Sequence, residues 1–244
     1  MRRLFVSAVV AALAMVPLQA SAAASTTAAE FATKCSTGTY ILGHDLTVRG
    51  GTGTLTNDCF IVLAEDVTLA FSRVAFDDIG GGCCAMIIGD SGRGSRIALK
   101  RATIDLHGAV QLAAGCCSGG DPFHPEDDGR LDARNSFVRG DTVELSASTA
   151  DDFGTVAVWR TYVEARDTSA FALNIRASVP ATGGIARVSG SHLVSAGDIL
   201  VNTDTAGTTV VRNTRLDAAG TTTITTGAGG TCVSSGNTPP VACT

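Results

Sequence analysis

Six stretches of this chain superpose on one nine-residue pattern, and that repetition constrains the fold more than any other feature. The copies begin at Val67 (VTLAFSRVA), Ile97 (IALKRATID), Leu131 (LDARNSFVR), Val156 (VAVWRTYVE), Ala186 (ARVSGSHLV) and Thr209 (TVVRNTRLD). Positions one, three and eight are nearly always aliphatic, position six is Ser, Thr or Ala, and positions four, five, seven and nine are mostly polar or aromatic. The starts lie 30, 34, 25, 30 and 23 residues apart, a fixed core with variable loops, which is the signature of a solenoid. Alternation at positions one and three reads as a strand facing a core, position five interrupts it and position eight resumes it. Each copy is therefore two short strands joined at a bend.

A third strand follows each copy, at residues 109–112, 142–145, 170–175, 198–202 and 222–225. Three strands per turn make a triangular coil, and a single coil cannot bury its own apolar face. Successive coils must stack at roughly 4.8 Å, strand on strand, giving an all-β solenoid of three parallel sheets around a narrow core. Small residues at position six suit a crowded corner inside it. No stretch after the first twenty residues has the helical spacing that an α/β solenoid would need.

This arrangement resembles the single-stranded right-handed parallel β-helix family typified by pectate lyases and their many non-enzymatic relatives. The likeness covers most of the chain and includes Asn135 and Asn213 at the bend, where that family often stacks asparagines. It also includes the opening stretch, in which Gly38-Thr39-Tyr40 leads to Asp45-Leu46-Thr47 and later to Val67-Thr68-Leu69. The handedness is implied by the resemblance. So is the location of chemistry, since enzymatic members of the family carry their substrate groove along the sheet that the third strands build.

The chain opens with Met1-Arg2-Arg3, an apolar run over 4–18 and Ala20-Ser21-Ala22, the layout of a secretory leader. That run is shorter than the ~20 residues a spanning helix needs, and no later segment is a candidate. The expected organisation is a signal peptide at 1–22, an N-terminal cap and first coils at 23–66, β-helix coils at 67–230 and a disulfide-closed cap at 231–244. The protein is then exported, to the periplasm or the cell exterior, without a membrane span and as a monomer. A net charge of −5 and the lack of any basic run argue against nucleic acid.

All eight cysteines follow the leader, and an even number in an oxidising compartment favours disulfides. Cys83-Cys84 and Cys116-Cys117 occupy similar places in adjacent coils, close to the separation a bridge requires, so the two dyads are expected to pair. Cys35 pairs with Cys59, and Cys232 with Cys243. A four-thiolate metal site is the alternative, although its ligand pairs are usually separated by two to four residues.

Three surfaces are candidates for function. On the third-strand sheet, alternation points Val143, Leu145, Phe171, Leu173, Ile199 and Val201 inward, and Glu144, Asn174, Arg176, Asn202 and Asp204 outward. Glu144, Arg176 and Asp204 are the candidate catalytic groups, and Asn174 and Asn202 candidate sugar ligands, with Ca²⁺ as a bridging ion to acidic sugars. Solvation alone would supply as many polar groups. Of the motif set typical of polygalacturonases only Asn202-Thr203-Asp204 is matched. The insertion at 119–129, with Asp121, Glu126, Asp127 and Asp128, is the second candidate and offers a Ca²⁺ site or a solvated acidic turn. The third is a stripe at position seven, Arg73, Thr103, Phe137, Tyr162, His192 and Arg215, flanked at position four by Lys100, Arg134, Trp159 and Arg212. Phe137, Trp159, Tyr162 and His192 there would bind sugar or merely stack across strands. The expected function is non-catalytic binding of polysaccharide or a cell-envelope component. A polysaccharide lyase or glycoside hydrolase, and a purely structural envelope module, are the alternatives.

Overall fold

The computed structural model describes residues 24–80, 84–89, 94–115, 129–148, 154–178, 184–204 and 206–244. The segment 1–22, expected to be a signal peptide, lies outside them. The described residues form three sheets of nine, seven and eight strands, and every ladder is parallel between strands of successive coils. The chain is thus a right-handed parallel β-helix, the hand that parallel crossover connections take. The sheets are numbered here by their order within a coil. The first holds Arg130–Arg134 of a typical copy, the second Phe137–Gly140, and the third Val143–Ser148.

Register defines eight coils, whose first-sheet strands align Leu46, Leu69, Ile97, Leu131, Val156, Ala186, Thr209 and Cys232. The aliphatic positions of the repeat are buried at 0–1 % exposure, as in Ile97, Leu99 and Ile104, or Val156, Val158 and Val163. One copy is corrected by two residues. Leu69, not Val67, lies opposite Ile97, because a strand's period of two lets a shift of two residues keep the same face inward. Ala75 therefore takes the place at position seven that was expected for Arg73. A second correction concerns Phe171, expected in the core. It has φ 132° and is 69 % exposed, and the strand begins only at Leu173.

The bend between the first and second sheets is a single left-handed residue in coil after coil: Gly50, Arg73, Arg101, Asn135, Arg160, Gly190, Asn213 and Gly236, with φ between 48° and 65°. Hydrogen bonding changes direction across it. The bend residue donates to the next coil, as Asn135 N–H does to the Trp159 carbonyl, whereas position seven donates to the preceding one, as Phe137 N–H does to Ala102. The N–H of position six falls between these patterns and takes a side-chain acceptor instead. Ala102 N–H donates to Ser136 Oγ at 3.2 Å, Ser136 N–H to Thr161 Oγ1 at 3.4 Å, and Thr161 N–H to Ser191 Oγ at 3.2 Å. Each hydroxyl donates in turn to a carbonyl, Thr161 Oγ1 to Trp159 at 3.0 Å. The small residues at position six are a buried hydroxyl ladder. Asn237 continues it at the C-terminal end, accepting from Thr214 N–H at 3.0 Å.

Both ends are closed. The helix Ala28–Cys35, with Thr27 and Glu30 in a capping box, lies over the N-terminal coil and buries Ala28, Phe31, Ala32 and Cys35. Phe31 packs against Phe71 and Phe76 with ring centroids 5.3 and 5.6 Å apart. Gly53 permits this approach, since a Cβ there would lie 2.3 Å from the Ala28 carbonyl oxygen. Cys35 is bridged to Cys59 and Cys232 to Cys243. Cys84 is also disulfide-bonded. Cys83, Cys116 and Cys117 lie outside the described residues, and with them the pairing of the two dyads. No helix of the described residues is long and apolar enough to cross a membrane.

Thr161 tests the ladder. Thr161→Val keeps the shape but strands Ser136 N–H, a buried donor whose loss of partner costs about 1–3 kcal/mol. In a domain of this size that lowers the thermal midpoint by about 2–10 °C, read by circular dichroism, with Thr161→Ser falling less. A valine variant that melts with the parent protein would show the ladder to be dispensable.

Candidate functional site

The residues expected to bind or act do not share one surface; the three sheets divide them. Phe137, Tyr162 and His192 stand in register on the second sheet. Phe137 and Tyr162 are stacked at 5.0 Å and 3°, and His192 meets Tyr162 edge-on at 5.0 Å. Because one coil spacing is close to a ring-stacking distance, these rings occupy one another's faces and turn their edges to solvent. The row beside them carries Asp77, Asp105, Arg139, Glu164 and Asp217. Arg139 Nε donates to Asp105 at 2.7 Å, the Tyr162 hydroxyl to Glu164 at 3.0 Å, and His192 Nε2 to Asp217 at 2.8 Å, with Arg215 Nε at 2.7 Å from the same carboxylate. Partial burial and then the Glu164 bond raise the Tyr162 hydroxyl above its ordinary value. The His192 bond, helped by Arg215, holds the Asp217 carboxyl below the usual range. This sheet is polar but internally paired.

The third sheet holds the candidate catalytic groups. Glu144 lies opposite Asn174, and Arg176 opposite Asn202. Arg176 Nη2 pairs with Asp204 at 3.2 Å, so two of the three candidate catalytic groups neutralise each other. Asn174 Oδ1, Asn202 Oδ1 and Arg176 Nε are shielded from solvent with no hydrogen-bond partner among the described residues. Asp121, Glu126, Asp127 and Asp128 lie outside the described residues. Among those described, no group of three or more His, Cys, Asp or Glu side chains could hold a metal ion.

The first sheet carries the expected flank of Lys100, Arg134, Trp159 and Arg212, together with cations that the sequence did not announce. Its outward row at position four is Arg49, Ser72, Lys100, Arg134, Trp159, Ser189, Arg212 and Ser235. The left-handed bend beside it adds Arg73, Arg101 and Arg160, and the coil whose bend is Gly190 contributes Arg187 two residues before Ser189. Seven consecutive coils thus each present at least one exposed cation: Arg49, Arg73, Lys100 with Arg101, Arg134, Arg160, Arg187 and Arg212. Asp132 is the only acidic residue in the strands of this sheet; it pairs with Arg130 at 2.7 Å and reaches Arg134 at 3.5 Å. Among the described residues no carboxylate pairs with the others of the row. Trp159 stands amid them, 41 % exposed, with the Arg160 guanidinium 4.6 Å from its ring centroid. A shallow depression of about 480 Å³ is lined by Thr47, Arg49, Gly50, Ser72, Arg73, Lys100 and Arg101. Four of those seven are basic.

The absence of a basic run in sequence therefore does not mean the absence of a basic surface. Cations 23 to 34 residues apart become neighbours once the register is set, and only correct alignment of the bend positions would have exposed them. Comparison with protein-family models, with curated proteins and with solved structures returns no match to this chain.

The second sheet yields a pH test. Because the folded state lowers the Asp217 pKa, its contribution to stability is present above the ordinary aspartate range and is lost as pH falls through the folded value. Asp217→Asn should therefore be less stable than the parent protein near neutrality, with the gap narrowing as pH falls below the ordinary aspartate range. Urea denaturation across pH measures it. A gap that persists in acid would mean that the carboxylate charge is not what His192 and Arg215 respond to.

Proposed function

We propose that this chain is an exported, non-catalytic binding module for an acidic polysaccharide, held along the exposed face of the first sheet and its bend. The observation that carries the reading is the exposed cation presented by each of seven consecutive coils around Trp159, of which only Arg134 shares a carboxylate, Asp132, among the described residues. Charged side chains that serve the fold find partners, as Arg139 and His192 do on the second sheet. Those of the first sheet stay open to solvent, where a charged partner gains charge-assisted hydrogen bonds and long-range steering. The bridges Cys35–Cys59 and Cys232–Cys243 and the leader-like first residues support an oxidising, extracytoplasmic setting. The likeness to pectate-lyase-type β-helices supports a carbohydrate partner.

Polygalacturonate immobilised on a column should retain the purified protein at low salt and release it as salt rises. The double variant Arg134→Glu/Arg160→Glu should lose at least tenfold in affinity while its circular dichroism is unchanged, and Trp159→Ala should lose less. Tyr162→Phe should bind as the parent does. Retention that ignores both salt and the charge reversals would remove the first sheet as the site.

One observation favours a second reading, a lyase or hydrolase acting along the third sheet: the unpartnered atoms of Asn174, Asn202 and Arg176 beside Glu144 and Asp204. Release of unsaturated products or reducing ends, abolished by Arg176→Ala, would establish it and displace the binding module.

A further inference from the structure

We propose that the depression near the N-terminal end of the cationic face is a binding site for a compact ligand carrying two phosphate groups, a diphosphate or a bisphosphate. It does not depend on the polymer reading, whose charge-reversal residues, Arg134 and Arg160, lie in later coils.

The shape follows from register. Arg49, Ser72 and Lys100 are consecutive members of the position-four row, so a short hydroxyl residue stands between two long cations, one in the coil on either side. Gly50 leaves room at the bend, with nothing within 4 Å of where its Cβ would be, and Arg73 and Arg101 occupy the same bend in the next two coils. The outcome is the depression of about 480 Å³ walled by Arg49, Arg73, Lys100 and Arg101 and completed by Thr47, Gly50 and Ser72. With strands ~4.8 Å apart, three coils gather four cations within ~10 Å along the axis.

Charge selects the ligand. None of the four pairs with a carboxylate of a described residue. Asp132, one coil further on, is engaged by Arg130 and Arg134, and across the bend position seven is the neutral Thr52, Ala75 and Thr103. A single carboxylate would leave most of that charge unanswered. A phosphate monoester carries about −1.5 to −2 at neutral pH, so two phosphates balance four cations. Guanidinium forks hold phosphate oxygens in pairs, Lys100 adds a point charge, and the Thr47 and Ser72 hydroxyls are donors on the same surface.

The backbone separates this use of charge from the needs of the fold. Arg73 and Arg101 have φ 54° and 53°, a conformation that Gly50 and Gly190 take at equivalent bends and that glycine adopts without steric cost. Arg160 has φ 48° but stands beside Trp159, away from the depression. Replacing each by glycine therefore removes a cation and relieves strain together.

Calorimetric titration with inorganic pyrophosphate, at low salt with EDTA present, should show one site per chain, binding about tenfold or more tightly than inorganic phosphate, the worth of a second charge-assisted contact. Arg73→Gly/Arg101→Gly should lose about tenfold or more of that affinity with no fall in thermal midpoint, so that unfolding is not the cause. Arg160→Gly should bind as the parent does. Absence of pyrophosphate binding, affinity no greater than for phosphate, or a loss in Arg160→Gly as large as in the double variant overturns the site. Polygalacturonate retained by the same preparation would then leave the polymer reading standing. Phosphatidylcholine vesicles with and without phosphatidic acid identify the source of the phosphates. Sedimentation with the phosphatidic acid vesicles, competed away by pyrophosphate, assigns a lipid headgroup; pyrophosphate binding without sedimentation assigns a soluble phosphate compound.

Discussion

The N–H of position six organises this molecule. A one-residue left-handed bend turns each coil from its first sheet to its second, and it reverses the direction in which the backbone donates, leaving that N–H without a ladder partner. Burial makes such a vacancy expensive. A hydroxyl from the neighbouring coil fills it for Ala102, Ser136 and Thr161, and the Asn237 amide oxygen does so for Thr214 at the end. Because each hydroxyl belongs to the coil above the N–H it serves, the ladder couples coils to one another as well as closing a corner. It ties register to a side chain, whereas aliphatic alternation alone tolerates a shift of two residues.

Fixed register is what gives the surface its meaning. Position four of one coil must lie beside position four of the next, so side chains scattered through the sequence at intervals of 23 to 34 residues become rows. The same rule builds a ring stack from Phe137 and Tyr162, a row of paired charges through Asp105, Arg139, Glu164 and Asp217, and a cationic row from Arg49 to Arg212. The two charged rows sit on opposite sides of a single bend, and an overall charge of −5 conceals a face of the opposite sign.

The repeat was legible because its inward positions repeat in kind: Ile97, Leu131 and Val156 differ in shape but share burial. Where two aliphatic residues stood at the right parity, as Val67 and Leu69 do, alternation could not choose between them, and Arg73 was assigned to the wrong sheet. Phe171 misled for a related reason: an aromatic residue beside a strand reads as core, yet positive φ takes it outward before the strand begins. The aromatic residues were recognised, but the bend puts Trp159 on a different sheet from Tyr162 although only two residues separate them. The helix Ala28–Cys35 is short and caps an end, so it has no repeat to betray it. Lys100, Arg134 and Arg212 were read at position four, but the face as a whole stayed hidden because Arg49 precedes the first copy and Arg101, Arg160 and Arg187 lie at other positions of the repeat.

The bend also distinguishes charge kept for the fold from charge kept for another purpose. Its backbone conformation suits Gly and Asn, and five of the eight coils place one of these there. Arg73, Arg101 and Arg160 adopt the same conformation at a cost of roughly 1–2 kcal/mol each, since their Cβ crowds the following carbonyl. No carboxylate of a described residue pairs with them, and two of them line the depression beside Arg49 and Lys100. Backbone strain held at exposed, unpaired cations contributes nothing to burial or to the hydroxyl ladder. Such strain collects at functional sites, which supports the proposed use of the seam at which seven coils each turn a cation outward.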